Sequence, residues 1–487
     1  MNISIFIERF LIFTVFVMAV FPSMSIPFGS RYLPVGLLFA ILSFFVLLIR
    51  PHLIFNDMLK FKKLFSTKIL QYFACWSVLS ALFISLYFHI SFLKMSLSLF
   101  LALIISIFLP LFLSFFLVIH INNRTFVKLY VSVMFVIFFF GVVDFTIYFF
   151  KIPFLDILYN STIINTRLYK IGEVFSSVNY VKSYFFPRVQ SVFEEPSHFA
   201  WFICINLPIV YSLSNSKYKI YKNNFFNILV KKTFIPLVIA DLLLTQSPLN
   251  IIFSIVITYG FVIIKTKSTI KKIMYLTFVL LIFLIISAYF IINATPEQKV
   301  PYRIYTVLKN LNSFQSLIFF EGSLGTRLVT YGLMFKVFLK NVIFGCGWGN
   351  LGIFLYNTIM TSNVVLTEEI LVRLSHATDG QIGYCSSIFF RTIAETGFIG
   401  ISLLFLFFVK LKQYSSYVCN NTYGILKDLF FGINLSILVF IFLCFYDSYL
   451  YVPYIFFMFG AVSAIYFKLK TIRNNEVLIS RDDSCLK

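Results

Sequence analysis

The chain has 487 residues, of which 60% are hydrophobic, 20% aromatic and only 12% charged. A water-soluble globular protein carries about 25% charged residues, so this chain has too few polar side chains to cover a soluble surface. Its apolar stretches reach the roughly 17 to 25 residues that a bilayer-crossing helix requires, which excludes a disordered chain and a transmembrane β-barrel. We therefore predict an all-α integral membrane protein, a polytopic helical bundle.

Twelve apolar stretches are predicted to cross the membrane. The connectors on one side are rich in lysine and arginine, whereas the short connectors on the other side hold only Arg31 and Lys94. The positive-inside rule therefore places both termini in the cytoplasm. The formal charge of +21 is mainly this orientation signal, and basic loops beside anionic lipid are favoured over nucleic-acid binding. The predicted spans are residues 8–26, 32–50, 69–90, 96–119, 129–150, 198–213, 233–247, 249–264, 273–293, 387–409, 428–446 and 449–467.

Two long connectors, both on the outer side, interrupt the predicted single domain of residues 1–487. The first is residues 151–197 and the second is residues 294–386, and a short cytoplasmic tail follows at 468–487. Ordered loops of this length are usually functional. We therefore expect the chemistry of the protein on its outer face.

The first outer loop ends with Arg188, Glu195, Pro196 and His198, immediately before the sixth predicted span. Proline suits the first turn of a helix, and an acidic residue before it complements the helix dipole, so one interpretation of Glu195 is a cap. The other is a site at the membrane surface with a fixed cation, a carboxylate base and a titratable imidazole. The sequence leaves both interpretations open.

The second outer loop contains an apolar ladder that predicts an amphipathic helix along the membrane surface or over a cavity, with Lys336, Lys340 and Asn341 on the opposite face. Glycines and Arg327 lie at the predicted start of this helix, where free backbone N–H groups suit a diphosphate. The alternative is an ordinary cap with a solvated arginine. The ladder consists of Leu328, Tyr331, Met334, Phe335, Phe338, Leu339, Val342 and Ile343.

A glycine-rich stretch that includes Gly345, Gly347, Gly349 and Gly352 follows this helix and formally contains GxGxxG. A dinucleotide fingerprint requires a preceding strand in a βαβ unit, which this sequence does not predict. Two interpretations remain. The glycines either end the helix or let the backbone approach a ligand closely.

Charged residues gather again at the tenth predicted span. His376 precedes it, and Arg391 and Glu395 are four residues apart within it, so they share one helix face. They form either an internal ion pair or part of a functional cavity, because charges at this depth usually face a partner or a cavity. Asp144 and Asp241, inside the fifth and seventh spans, are weaker candidates of the same kind.

These features together resemble the bacterial O-antigen polymerases, in the wider family that also contains the O-antigen ligases. The resemblance rests on the two large outer loops and on four short motifs. The motifs are the Arg188 to Ala200 segment with its Glu-Pro-Ser, Arg327 with the helix ending in Gly345-Cys-Gly347-Trp-Gly349, Ala394-Glu395-Thr-Gly397-Phe-Ile-Gly400, and the paired short spans around Leu244-Thr-Gln-Ser247.

The resemblance implies a multi-pass glycosyltransferase of the bacterial inner membrane that works at the periplasmic face. It would transfer a glycan from undecaprenyl diphosphate onto a lipid-linked repeat unit, without a metal or other cofactor. Arg188 and Arg327 would bind the diphosphate, and Glu195, His198 and His376 are candidates for the base, in that order. The expected partners are the lipid-linked oligosaccharide, membrane lipid and a chain-length regulator, with no nucleic acid. Arg391, Glu395, Gly347 and Gly349 complete the predicted substrate-binding set.

Three alternatives remain open. Ligases of this family carry a histidine shortly before the motif at Glu395, whereas this chain has Tyr384-Cys-Ser-Ser387 there and His376 farther upstream. A lipid-linked oligosaccharide flippase would have short loops on both sides. A secondary transporter would show related halves, and no internal repeat is visible.

Overall fold

The structure is a computed structural model of the chain. It describes residues 10, 12–13, 25–28, 31–34, 51–89, 107–150, 191, 196–245, 247, 250–251, 253–258, 260, 322–362, 366–375, 387–445 and 453–485. Apart from one β-hairpin, the elements in these ranges are helices. The hairpin pairs β1 (Ser25–Phe28) with β2 (Arg31–Pro34), and the helices are α1 (Pro51–Lys63), α2 (Phe65–Tyr87), α3 (Leu109–His120), α4 (Asn123–Phe150), α5 (Pro196–Ser214), α6 (Asn224–Leu244), α7 (Gly322–Lys340), α8 (Leu351–Met360), α9 (Glu368–Ser375), α10 (Ile388–Asn420), α11 (Gly424–Leu443) and α12 (Pro453–Cys485).

Six of these helices are long and apolar enough to cross a membrane. Each overlaps a predicted span, which confirms a helical, multi-pass membrane protein. The fourth predicted span overlaps the shorter apolar helix α3, which ends one residue beyond it, and α6 begins nine residues before the seventh. The total of twelve spans remains a prediction, because much of the first, second, eighth and ninth lies outside the described residues. The six candidate spans are Phe65–Tyr87, Asn123–Ile147, Ser197–Ser214, Ile388–Asn420, Gly424–Leu443 and Ile455–Arg473.

The hairpin corrects the predicted ends of the first two spans. Ser25 pairs with Pro34, and Phe28 pairs with Arg31, in an antiparallel ladder. The end of the predicted first span and the start of the second are therefore strands rather than helix. Two of the eight strand residues are Pro27 and Pro34, and proline removes a backbone donor that a helix interior needs.

Side-chain contacts give the relative direction of α4 and α5, two consecutive spans. The Tyr130 hydroxyl of α4 donates to the Asn206 side-chain oxygen of α5 at 3.2 Å, and farther along α4 Phe138 packs on Phe202, nearer the start of α5. These two helices are therefore antiparallel. Such alternation is what the predicted topology requires of consecutive spans.

One end of the bundle, the cytoplasmic end in the predicted topology, holds a polar cluster. Asp57 of α1 is buried and accepts hydrogen bonds from His120 of α3 at 2.6 Å and from Lys60 at 2.7 Å. Lys468 of α12 donates to two carbonyls at the end of α3. Burial alone raises the pKa of Asp57, but the hydrogen bonds and charges of His120 and Lys60 outweigh it, so the pKa lies below the ordinary 3.8.

Helices α7, α8 and α9 form a second, smaller apolar cluster against α10. The buried face of α7 includes Val329, Leu333, Met334 and Val337, at the spacing of three and four that a helix face requires. This group of helices belongs to the second long connector of the sequence. It forms an ordered unit that packs on α10 rather than a structureless loop.

The predicted amphipathic helix is confirmed as a helix, but its apolar ladder is not one face. Met334 and Phe338 are buried, whereas Phe335 and Leu339 are exposed, and the helix ends at Lys340, before Val342 and Ile343, which are also exposed. The buried face also holds two threonines, which satisfy their hydroxyls through hydrogen bonds within the unit. The apolar residues of α7 therefore lie on two faces of the helix, one packed against protein and one exposed, which the sequence pattern does not distinguish.

Candidate functional site

The site is built around the first turns of α10. The Ser387 side chain caps this helix by accepting from the Phe390 backbone N–H at 3.3 Å. The helix is then kinked at Gly397, whose φ of 67° and ψ of −166° are not helical. A Cβ atom at this position would overlap the Ile343 carbonyl, so the close approach of the two backbones requires glycine. The kink frees carbonyl oxygens that a straight helix would use itself.

The glycine-rich stretch after α7 docks on these carbonyls. The Cys346 backbone N–H donates to the Ala394 carbonyl at 2.7 Å, and the Phe398 N–H donates to the Val342 carbonyl at 2.8 Å. A Cβ atom on Gly345 would lie 2.5 Å from the Ala394 oxygen. The preceding element is a helix, which removes the dinucleotide interpretation. The glycines both end α7 and permit a close backbone approach, in this case to α10.

Arg391 and Glu395 form the predicted i, i+4 ion pair. The Arg391 Nε donates to Glu395 Oε2 at 3.1 Å, and the Gly349 backbone N–H donates to Glu395 Oε1 at 3.3 Å. Glu395 is 2% exposed, whereas the Arg391 side chain remains 28% exposed, with its guanidinium carbon 5.9 Å from the centre of the Trp348 ring. A buried carboxylate therefore fixes a partly accessible guanidinium beside an aromatic ring.

Helix α2 supports the kink from the other side. The Trp76 indole N–H donates to the Thr396 carbonyl at 2.8 Å, and the Ser80 hydroxyl donates to the Glu395 carbonyl at 3.3 Å. The Trp76 ring also stacks on Phe344, which precedes the glycine-rich stretch. Three segments that are far apart in sequence thus meet at one break in α10.

Arg327 lies on the helix that leads to this junction. The Tyr331 ring stacks on Phe390 with centroids 4.7 Å apart, and nearer the end of α7 Val342 bonds to Phe398, so α7 and α10 run in the same direction. The half-buried Arg327 is one turn before Tyr331 and therefore lies at the level of the start of α10. Because α7 begins at Gly322, Arg327 occupies its second turn, one turn farther from the N-terminus than predicted.

His198 reaches the same end of the bundle. Trp201 of α5 packs against Phe440 of α11, and these helices are antiparallel because Ser212 of α5 bonds to the Asp428 carbonyl near the start of α11. The half-buried His198, in the first turn of α5, is therefore level with the end of α11.

The end of α11 in turn contacts the start of α10. The Cys444 carbonyl, just after α11, accepts from the Ser387 hydroxyl and from the Phe389 backbone N–H, each at 3.0 Å. The starts of α5, α7 and α10 consequently lie at one end of the bundle. His198, Arg327 and Arg391 lie there, at the end opposite the Asp57 cluster.

Six of the nine predicted site residues fall within the described part of the chain. Arg188, Glu195 and His376 lie outside it, so their placement in the site stays a prediction. Among the described residues, no three His, Cys, Asp or Glu side chains gather closely enough to hold a metal ion. The six described residues, all at or near the start of α5, α7 and α10 or on the glycine-rich stretch, are His198, Arg327, Gly347, Gly349, Arg391 and Glu395.

Sequence reasoning missed three side chains of this junction. Trp76 and Ser80 are four residues apart on α2, so they lie on one face of that helix. Because a buried indole N–H needs a hydrogen-bond acceptor, Trp76 in an apolar span could have been predicted to contact a polar group. Asn350 is fully buried, and neither its side-chain nitrogen nor its oxygen has a hydrogen-bond partner among the described residues. No local sequence pattern distinguishes Asn350 from an ordinary helix cap.

Comparison with known proteins identifies no family. No protein-family model matches the chain, and no curated protein sequence matches it significantly. The likeness to O-antigen polymerases is therefore one of short motifs.

Proposed function

We propose that the chain is a repeat-unit polymerase of O-antigen or a similar surface polysaccharide. One observation carries the proposal. Two of the motifs that resemble the polymerases, the glycine-rich stretch and the segment around Glu395, are about 50 residues apart in sequence and form one hydrogen-bonded unit. That unit holds an accessible guanidinium at the end of the bundle where two further predicted site residues, Arg327 and His198, also lie.

The proposed reaction is a glycosyl transfer at the periplasmic face of the bacterial inner membrane. The acceptor hydroxyl attacks the anomeric carbon, the bond from that carbon to the diphosphate oxygen breaks, and undecaprenyl diphosphate leaves. A base takes the hydroxyl proton, with Glu195, His198 and His376 as candidates. Arginine suits the leaving group because its planar guanidinium binds phosphate oxygens in a bidentate manner.

The charged residues described at this end of the bundle have different roles in the proposed reaction. Arg391 and Arg327 stabilise the negative charge that develops on the diphosphate, together with Arg188. Glu395 is a positioning residue, since its Oε2 binds the Arg391 Nε and so fixes the plane of the guanidinium. Gly349 in turn fixes Glu395 through its backbone N–H.

The glycan profile of a deletion strain tests the proposal. Lipid A core that bears a single repeat unit, with the polymer ladder lost, supports a polymerase. Bare core with polymer still on undecaprenyl diphosphate would identify a ligase instead. Bare core with single lipid-linked units held on the cytoplasmic side would identify a flippase, and an unchanged profile would remove this class of function.

Substitution of the predicted diphosphate ligands gives a second test. Arg188→Ala and Arg327→Ala should each abolish polymer while leaving the protein in the membrane, because each removes a cation from the leaving group. Lys336→Ala, which removes an exposed cation of α7, is the matched control and should keep the ladder. Normal polymer length from both arginine variants would overturn the assignment.

A further inference from the structure

A second carboxylate, far in sequence from the proposed site, is buried among apolar helices, and no described residue donates a hydrogen bond to it. Asp241 lies near the end of α6 with 0% of its surface exposed, and neither carboxylate oxygen has a hydrogen-bond partner among the described residues. The carboxylate packs directly on Gly141 of α4, where a Cβ atom would lie 2.5 Å from Asp241 Oδ1. The contact between α4 and α6 is thus shaped around this side chain.

Asp144 follows one turn later on α4 and is also fully buried. Its surroundings differ, because the Ser191 backbone N–H donates to Asp144 Oδ2 at 3.0 Å. Ser191 is held in place by its hydroxyl, which donates to the Ile137 carbonyl at 2.7 Å. One carboxylate of the pair therefore receives a donor that favours its ionised form, and the other receives none from the described residues.

Two ionised carboxylates close together in an apolar bundle are strongly disfavoured, because like charges repel and a buried charge without a hydrogen-bond donor is the more costly of the two. Asp144 is one turn from Gly141, the residue on which the Asp241 carboxylate packs, so the charge of Asp144 acts on Asp241. The other titratable groups described on α6, and on α4 and α5, which pack against it, make no hydrogen bond to Asp241. They are Lys231 and Lys232, more than two turns earlier on α6, Arg124, Lys128 and Tyr130, three turns or more before Gly141 on α4, and His198, Cys204 and Tyr211 on α5.

We propose that Asp241 and Asp144 form a proton-binding site between α4 and α6, in which Asp144 is ionised and Asp241 carries the proton. The ligand is a single proton, and its binding leaves the pair with one negative charge instead of two. The site is independent of the proposed glycosyl transfer, since neither aspartate belongs to the set of residues placed in that reaction.

The proposal predicts how stability depends on pH. The folded protein keeps a proton on Asp241 that the unfolded chain releases above about pH 4. Because the folded state binds more protons, the folding equilibrium constant should fall as pH rises, by up to about tenfold per pH unit, until Asp241 ionises in the folded state. Asp241→Asn, a neutral isostere of the protonated form, should fold normally and lose this dependence.

The experiment uses the full chain in detergent micelles. Infrared spectroscopy at neutral pH should show the carbonyl band of a protonated carboxylic acid, which Asp241→Asn removes. Asp428→Asn, which changes a partly exposed carboxyl of α11, is the control and should keep both the band and the pH dependence of the melting temperature.

Three results would overturn the site. The first is a band that survives in Asp241→Asn, and the second is an Asp241→Asn chain that no longer folds, since a neutral side chain should be accepted there. The third is a wild-type melting temperature that rises with sodium or potassium chloride but not with choline chloride at fixed pH. That result would identify a metal cation, rather than a proton, as the ligand.

Discussion

Glu395 is the side chain on which the candidate site depends, and its energetics follow from burial. At 2% exposure it has lost most of its hydration, and Arg391 and Gly349 replace part of it. Replacing a whole buried ion pair by apolar groups is often neutral, but removing one partner leaves an uncompensated buried charge. The two members of this pair are therefore unequal targets for mutation, since only Arg391 also reaches solvent.

Two substitutions of Arg391 distinguish its contribution to stability from its contribution to function. Arg391→Ala should lower the free energy of unfolding by about 3 kcal/mol, because Glu395 loses its counter-charge. This value is at the low end of the cost of removing one partner from a buried ion pair. Arg391→Lys keeps a positive charge, so most of the stability should remain, but it loses the planar fork that binds phosphate. We expect thermal melts to distinguish the two variants and the polymer ladder to be lost in both. A normal ladder in Arg391→Lys would show that the guanidinium plane has no role.

Gly397 is the second residue whose replacement has a definite outcome. Its φ of 67° is costly for other residues, and a Cβ atom would overlap the Ile343 carbonyl. Gly397→Ala should cost about 2 kcal/mol or more through backbone strain alone. Gly332→Ala on α7, where nothing lies within 4 Å of the added Cβ, is the matched control. Similar melting temperatures for the two variants would contradict the described kink.

At the scale of elements, part of the site was predictable and part was not. The four-residue spacing of Arg391 and Glu395 predicts a pair on one helix face, because helical periodicity is local. The docking of Gly345 on Ala394 was not predictable, since it depends on the kink at Gly397 and on packing between distant segments. Hydrophobic patterns identify which segments are helices, but they do not specify which helices meet.

The junction of α1 with α3 gives a pH prediction at this scale. Because the pKa of Asp57 is below its ordinary value in the folded state, its bonds to His120 and Lys60 contribute stability that is present above about pH 4. That contribution should be lost as pH falls through the lower, folded-state pKa. Acid titration of the melting temperature measures it, and Asp57→Asn should flatten the acid limb relative to Asp428→Asn. An unchanged acid limb in Asp57→Asn would contradict the described cluster.

For the whole molecule, the two ends of the bundle are structurally distinct, and the basic connectors predict which end is cytoplasmic. An impermeant thiol reagent should label Ser375→Cys, on the exposed surface of α9, in intact cells whose outer membrane has been permeabilised. Asn421→Cys, in the exposed turn between α10 and α11, should react only after the inner membrane is opened. Both variants are made in a chain whose seven native cysteines are replaced. The reverse pattern of labelling would invert the topology.

Composition predicts the class of the whole molecule, a membrane protein, because 12% charged residues are too few to cover a soluble surface. Apolar runs located the starts of the six helices of spanning length to within about six residues, but α10 continues to Asn420, well beyond the predicted end at residue 409. Local exceptions escaped this reasoning. The hairpin at Ser25–Phe28 and Arg31–Pro34 depends on backbone pairing across a connector. Helix α7 has two apolar faces, one packed against α10 and one exposed. Hydrophobicity does not distinguish an apolar face that contacts lipid from one that contacts protein.

The break in α10 also constrains how the protein is made. The carbonyls that it frees are taken by Cys346, Ser80 and Trp76, all of which are synthesised before α10. In lipid, a carbonyl without a donor is costly, so the bend is stable only after these donors have docked. We therefore expect the bend to form as α10 packs against parts of the chain that have already been synthesised.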